Sequence, residues 1–409
     1  MGRLQLPPSK SHTLRALLFA SLADGTSTIS NQLPSPDTEA MIAACELLGA
    51  AVSGDTVIGR GQNTKLTSSF LDAKNSGIVL RFVAAVAALS DQVLYITGDE
   101  SIQKRRLVAP LIDGLKQLGG HAVSCRNNGF APLAICGPIK AGYVVIDGKD
   151  SQPVSALLIA SALLDGKTTI EVTNLGERPW LMLTVDWLRK MGTEITVSEN
   201  HFVVTGQKRF LPFSYTVAGD LSSLGFLLVA ALITDSDIVI ENVDLDDVQG
   251  DKLIVEILQR MGAQFYIDPV AKTVRVQGPQ DLVGCDIDVN DCIDALPVLS
   301  VAACFAKNRT RLYNAHIARY KESDRISVMA RELTKMGACI SERPDGLEIN
   351  AATLTGTTVS SFLDHRVALS LAVAAMASSG TTVVQECECV KKSYPGFLAD
   401  MQKLGASIV

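Results

Sequence analysis

Long apolar runs are missing from this 409-residue sequence, although 47% of its residues are hydrophobic and only 20% are charged. A bilayer span needs about 20 apolar residues, and the stretch from Ala16 to Ala23 is far shorter. The opening MGRLQLPP has no apolar core of a secretory leader, and Leu6 stands where a myristoylation signal carries Ser or Thr. CxxC pairs are missing as well. Nine scattered cysteines, an odd count, argue against a disulfide framework and a zinc site. Cys387 and Cys389 in ECECV read as alternation along a strand. The compartment expected from this usage is a reducing cytoplasm. Positive charge is in short supply too: 37 Lys and Arg against 43 Asp and Glu give a net charge of −6, which speaks against a nucleic-acid surface. An anionic ligand would have to meet a locally positive site. What remains is a soluble globular chain long enough for roughly two domains.

Repetition is what the sequence has in quantity. The segment LLGAAV at 47–52 recurs as QLGGHAV at 117, KMGTEITV at 190, RMGAQFYI at 260, KMGACI at 335 and KLGASIV at 403. Each copy follows apolar residues at i, i+3, i+4 spacing, so the Gly is expected to cap a helix and the residues after it to form a strand. The fronts repeat as well. ALLFASLADGTSTISN is echoed by ALLIASALLDGKTTIEVTN, FLLVAALITDSDIVIENV, VLSVAACFAKNRTRLYNA, ALSLAVAAMASSGTTVVQE and, more loosely, FVAAVAALSDQVLYITG. Each fits an Ala-rich helix, a turn and a β-branched strand. Their polar starts, near Ser9, Asn75, Asp150, Asp220, Asp291 and Asp364, are spaced by about 70 residues. Helices apolar on nearly all sides are expected to be buried. Six units suggest two lobes of three: residues 8–218 in one, residues 1–7 plus 219–409 in the other, with VAGD at 217–220 between them.

The six starts read SKSHTLR, NSGIVLR, KDSQP, GDLSS, DCIDA and DHR. Singly, each is a capped helix start. Together they bring Lys10, Arg15, Arg81 and Arg366 close to helix ends where the dipole favours acids. A shared site for a multiply anionic ligand accounts for this, because helix ends and fixed cations can both point at phosphate or carboxylate. Three other stretches add charge: QKRRL with Arg105 and Arg106, RYKESDRI with Lys321, Glu322, Asp324 and Arg325, and CVKKSYP with Lys391 and Lys392. An acid surrounded by bases before a helix suits proton transfer beside a bound anion, since the cations keep the carboxylate ionised until substrate arrives.

In order over nearly the whole chain, LPPSKSHTLR, NSGIVLR, DSQ, GDLSS, IDALPV, KESDR, LDHRVAL and KKSYP resemble the 5-enolpyruvylshikimate-3-phosphate synthase family. The resemblance implies an α/β fold of two lobes, each of three βαβαββ repeats, forming a two-lobed inside-out α/β barrel with the active site in the cleft. It implies transfer of the enolpyruvyl group of phosphoenolpyruvate to the 5-hydroxyl of shikimate 3-phosphate, with release of phosphate, by addition and elimination. Phosphoenolpyruvate would be held by Lys10, Asn75, Gly77, Arg105, Gln152, Arg325, Arg366 and Lys392. The acceptor would be held by Lys10, Ser11, Arg15, Ser151, Gln152, Arg178, Asp294 and Lys321. Asp294 would take the proton from the acceptor hydroxyl, Glu322 would protonate the methylene carbon, and Lys10 would assist proton traffic and the leaving phosphate. No metal or organic cofactor is implied, nor any nucleic-acid or membrane partner; a monomer is expected.

The chain also departs from the pattern. Ile78 and Phe82 stand where many relatives have Thr and Pro, and Ile317 replaces a usual Asn. Asp150 and Glu177 fall where the family often places serines against the acceptor's phosphate, and bare carboxylates there would oppose binding. The simplest expected reconciliation is that each is turned away or paired, with Arg178 neutralising Glu177 and contacting phosphate and Trp180 closing the wall; a second route is that Asp150 caps its own helix and leaves Ser151 to face the ligand. Two rival readings remain. The sister transferase that uses UDP-N-acetylglucosamine typically carries a loop cysteine, which GDESIQKRRL lacks. A non-catalytic clamp for a phosphorylated metabolite would have no need of Asp294 and Glu322 as proton-transfer acids.

Overall fold

The computed structural model describes residues 2–63 and 65–409. The six apolar fronts are helices: α1 (Lys10–Leu22), α2 (Gly77–Ala87), α3 (Ser151–Ser161), α4 (Leu221–Ile233), α5 (Leu296–Phe305) and α6 (His365–Met376). Ala, Leu and Val around the whole circumference leave no polar face for water, and in α4 every residue from Leu221 to Leu232 is buried. The second helix of each repeat is amphipathic instead. Leu253–Arg260, for example, buries Ile254, Val255, Ile257 and Leu258 and exposes Glu256, Gln259 and Arg260. The six repeated glycines, Gly49, Gly119, Gly192, Gly262, Gly337 and Gly405, all stand at φ between 84° and 99°. That left-handed conformation ends a helix and costs glycine least.

Chain contacts divide the protein into two compact units, Lys10–Val217 and the residues up to Ser9 together with Ala218–Val409. The crossing falls inside VAGD. Pro8 and Ser9, expected with the first unit, go with the second: Pro8 bridges Gly219, the Ser9 N–H donates to Ala218 O at 2.8 Å, and Ser9 Oγ donates to Gln249 Oε1 at 3.0 Å.

Within Lys10–Val217, three sheets each have four strands. Their orders are Ser214–Thr216, Thr26–Ser30, Thr56–Ile58, Ala51–Ser53; then Phe70–Asp72, Leu94–Thr97, Leu133–Cys136, His121–Ser124; then Tyr143–Asp147, Lys167–Thr173, His201–Thr205, Glu194–Ser198. The first strand of each sheet is parallel to the second and the rest are antiparallel. The third repeat thereby closes on the first, since Tyr215 registers with Ile29. Strand alternation turns one face inward: Thr168, Ile170 and Val172 are buried while Lys167 and Thr173 are exposed.

The other unit repeats the scheme. Gly2–Gln5 pairs in parallel with Ser236–Glu241, which continues to Thr273–Gly278 and Tyr266–Asp268. A second sheet runs Asp286–Asp288, Thr310–Tyr313, Gly346–Asn350, Cys339–Arg343, and a third has only Thr358–Ser360 and Val383–Gln385. All six sheets are separate ladders, so the described residues form a mixed α/β fold in two units without a closed barrel of strands.

Two local expectations fail. The tail KLGASIV forms no strand: Ile408 N–H bonds Ala406 O and Gln402 Nε2 bonds Ile408 O. In the other five copies this strand is one arm of an antiparallel pair whose second arm follows it in sequence. Cys387 and Cys389 lie in a 3-10 turn, Cys387–Lys392, because Glu386 at φ 60° bends the chain out of the strand that ends at Gln385.

A further repeat joins sheet to helix. Gly59, Gly137, Gly206 and Gly278 each stand at the end of the third strand of a sheet, and a Cβ on any of them would strike a carbonyl oxygen, that of Ala23, Ala88, Leu164 or Ala231 respectively. Those carbonyls stand at or just past the C-terminal ends of α1 to α4, whose last C=O groups lack partners within the helix. The chain beside each glycine supplies them: Arg60 N–H donates to Ser21 O, Ile139 N–H to Ala88 O, Gln207 N–H to Ala162 O and Gln280 N–H to Leu232 O, at 2.8 to 3.0 Å.

Candidate active site

The opposite, N-terminal ends of these helices carry the polar residues. In the unit Lys10–Val217, Lys10 is the first residue of α1 and its Nζ lies 3.9 Å from Asp37 Oδ2. Asp37, buried in the first turn of Pro36–Leu47, also accepts from Ser76 Oγ at 3.2 Å. Ser76, not Asn75, caps α2; Asn75 Nδ2 donates to Asp99 Oδ2 at 2.5 Å. Gly77 follows. A Cβ there would stand 2.9 Å from Arg81 Nη1, 3.1 Å from Gln152 Oε1 and 3.7 Å from Arg106 Cζ, so the missing side chain lets the starts of α2 and α3 approach each other.

Arg81 binds that junction together. Its Nη1 donates to Gln152 Oε1 (2.8 Å), and its Nη2 reaches Leu107 O and Asp150 Oδ2, both at 2.9 Å. Asp150 caps α3 by accepting the Gln152 N–H at 3.0 Å, as expected. Its charge is therefore matched inside the protein. Lys10, Asn75, Gly77, Ser151 and Gln152 are thus gathered along one set of contacts; beside Gly77 lies the buried Arg106, and its sequence neighbour Arg105 is half-buried.

Arg15 differs. It is 2% exposed, and its guanidinium donates to Thr184 Oγ1 (2.9 and 3.1 Å), Ser11 O (3.2 Å) and Trp180 O (3.5 Å), with the Phe82 ring 5.1 Å below it. All these partners are uncharged. Burial lowers its pKa to about 9, and a buried cation without a counter-charge favours an incoming anion. Phe82 is therefore placed under Arg15, while Ile78 is half-buried beside Gly77. Arg178 Nη1 donates to Glu199 O at 2.8 Å. The expected neutralisation of Glu177 by Arg178 is replaced by hydrogen bonds from Ser151, whose N–H and hydroxyl both donate to Glu177 Oε2.

In the other unit a guanidinium is the hub. Arg325, 1% exposed at the start of Arg325–Lys335, donates through Nη1 to Asp294 Oδ1 (2.5 Å), through Nη2 to Glu322 Oε2 (2.9 Å) and through Nε to Asp364 Oδ2 (2.9 Å). Arg366 Nη2 holds Asp294 Oδ2 at 2.9 Å, and Lys392 Nζ holds Glu322 Oε1 at 2.8 Å. Burial raises the Asp294 pKa, but Arg366, Arg325 and Lys321 outweigh it and keep the carboxyl well below its ordinary range. Burial alone would lower the pKa of Arg325, and Asp364, Asp294 and Glu322 more than reverse it. Asp294, Lys321, Glu322, Arg325, Arg366 and Lys392 therefore belong to one electrostatic cluster. The half-buried Ile317 packs against the apolar core of this unit.

Sequence reasoning missed three acids. Asp364 appeared as a cap, which it is for α6, but it also takes Arg325 and the Ser323 N–H and hydroxyl. Asp37 had no signal beyond a first-turn acid. Asp251, buried in Gly250–Lys252, accepts from Ser222 Oγ, and burial, reinforced by Asp294, raises its pKa to about 7. Nothing in VQGDK marks it. Arg81 was legible as one cation of the helix starts, without its role as the link between α2 and α3.

Similarity to known proteins places the chain in a family. The sequence model of the family described as EPSP synthase (3-phosphoshikimate 1-carboxyvinyltransferase) matches residues 1–401. A 3-phosphoshikimate 1-carboxyvinyltransferase of Chlamydia caviae is 43% identical, covering 100% of this chain and 92% of its own. One from Ruminiclostridium cellulolyticum is 41% identical, covering 100% and 97%. The solved EPSP synthase of Acinetobacter baumannii superposes with a TM-score of 0.83 at 27% identity, over 99% of this chain and 96% of that one. The chain belongs to the EPSP synthase family.

Proposed function

We propose that this protein transfers the enolpyruvyl group of phosphoenolpyruvate to the 5-hydroxyl of shikimate 3-phosphate and releases phosphate, with residues of both units serving one reaction. The observation that carries this reading is the pair Asp294 and Glu322 joined through the single guanidinium of Arg325. Addition followed by elimination needs one group to take a proton from the acceptor hydroxyl and another to give one to the methylene carbon. A protein built only to bind anions gains nothing from carboxylates that compete for its own cations.

Asp294 is ionised but weakly basic while Arg366 and Arg325 are bound to it. An anionic substrate that engages these guanidiniums would weaken their hold and raise the basicity of Asp294 when the hydroxyl proton must leave. Glu322, bound by Lys392 and Arg325 in the free protein, would take up a proton from solvent once the substrate anions draw those cations away, and would give that proton to the methylene carbon. Lys10, Asn75, Gly77, Arg105, Gln152, Arg325, Arg366 and Lys392 would hold phosphoenolpyruvate, and Lys10, Ser11, Arg15, Ser151, Gln152, Arg178, Asp294 and Lys321 the acceptor. The uncompensated charge of Arg15 supports an anionic acceptor. Cations aimed at both phosphate and carboxylate would stabilise charge in the tetrahedral intermediate. The inside-out α/β barrel, the cytoplasmic compartment and the monomeric state are part of the same proposal. Among the described residues no helix is long and apolar enough to cross a membrane.

The test is phosphate release from phosphoenolpyruvate with shikimate 3-phosphate, shikimate and UDP-N-acetylglucosamine side by side. Release only with UDP-N-acetylglucosamine would reject the acceptor, and release with none would reject the reaction. In the same assay Glu322→Gln should lower turnover by about 10² or more, with little change in acceptor affinity. Lost binding with turnover intact at saturation would make Glu322 a structural ion-pair partner.

A further inference from the structure

The start of α3 already holds an anion, and that anion belongs to the protein. Backbone N–H groups at a helix N-terminus favour negative charge. At α3 the first N–H and the hydroxyl of the same residue, Ser151, donate to Glu177 Oε2 at 3.1 and 3.2 Å, and Glu177 is 2% exposed. The backbone is bent to achieve this: Glu177 stands at φ 48°, a left-handed conformation unusual for glutamate. The Gly176 N–H is tied to Gly148 O before it and the Trp180 N–H to Glu177 O after it, both at 3.0 Å.

Trp180 O in turn takes Arg15 Nη2. A buried carboxylate and a buried guanidinium are therefore linked through Trp180: Glu177 Oε2 accepts from Ser151, and Arg15 donates to uncharged groups. Asp150 does not compete for the Ser151 donors, because its Oδ1 accepts from the Gln152 N–H and its Oδ2 from Arg81.

We propose that Glu177 is a specificity-determining residue, an internal counter-anion that occupies the Ser151 donors in the free protein and opposes the phosphate of the acceptor. The proposal rests on the function proposed above, which brings that phosphate to Ser151 and Arg15. Two negative groups compete for the same donors. The chain should therefore bind a phosphorylated acceptor less tightly than its cations alone would allow, without a matching penalty on the unphosphorylated compound.

The experiment is calorimetric binding of shikimate 3-phosphate and of shikimate to the full-length wild type and to Glu177→Gln, at one pH and ionic strength. Gln keeps an oxygen for Ser151 and removes the charge. The expected result is about tenfold tighter shikimate 3-phosphate with shikimate changed by less than about twofold. A folded variant that binds shikimate 3-phosphate no tighter, or that tightens both ligands equally, overturns the proposal. If Gln is not tolerated, Glu177→Ser supplies the same reading. If neither variant folds, the carboxylate is structural and the proposal falls. Failure of the wild type to release phosphate with shikimate 3-phosphate would instead overturn the functional reading, whatever the variants do.

Discussion

Asp251 shows how one buried side chain can set a property of the whole protein. One carboxylate oxygen accepts from Ser222, and the other, Oδ1, is buried without a hydrogen-bond partner among the described residues. Burial raises its pKa to about 7; Asp294 and Asp220 add to the rise, and Arg366 and the Ser222 hydroxyl oppose it. An unfolded Asp titrates near about 3.9, so the native state holds this proton more strongly than the unfolded chain does. The resulting stability is full below about pH 4 and is lost as the pH rises through about 7. Asp251→Asn cannot lose a proton there. Relative to wild type it should gain up to a few kcal/mol between about pH 5 and about pH 8, read as the difference in urea midpoints at the two values. Any fixed cost of the amide cancels in that difference. A constant offset between the two proteins would show that Asp251 does not titrate in this range.

At the scale of elements, the glycines that end the third strands matter more than their size suggests. Gly206 lies against Leu164 O, just beyond α3, and Gln207 bonds Ala162 O at the same end. A methyl group at 206 cannot be absorbed by a side-chain rotation, because the obstacle is backbone. The helix must shift, and Ser151 and Gln152 at its far end must shift with it. Gly206→Ala should therefore cost about 3 kcal/mol or more of stability and also weaken acceptor binding, both visible in a thermal melt with and without shikimate 3-phosphate. Unchanged affinity in a folded variant would mean that the helix start is held independently of its other end. The helices and their terminal glycines were legible because apolar periodicity and a left-handed Gly are local signals. The four strand-end glycines were not, because only tertiary packing brings them against a helix carbonyl. In the site the same division holds: the cations at helix starts stood out against dipole logic, whereas Asp37 and Asp251 are ordinary acids until the fold buries them.

For the whole molecule, the sixfold repeat could be read from the sequence, but the way the chain is shared between units could not. Lys10–Val217 is continuous, and its three sheets are complete within it. Expressed alone, it should unfold cooperatively in urea; a broad, gradual transition would show that its core depends on the rest of the chain. The other unit is discontinuous, because Gly2–Gln5 forms the parallel outer strand beside Ser236–Glu241. Deleting residues 2–5 should destabilise that unit while amide protection in Lys10–Val217 persists, which hydrogen exchange resolves segment by segment. This pairing also orders events during synthesis. Gly2 leaves the ribosome roughly 230 residues ahead of its partner Ile238, a wait of about 10–50 s at about 5–20 residues per second. Through that interval the first strand is an unpaired edge on a nascent chain whose inserted unit, Lys10–Val217, becomes complete only near its end, and a chaperone has its longest opportunity to meet that strand there.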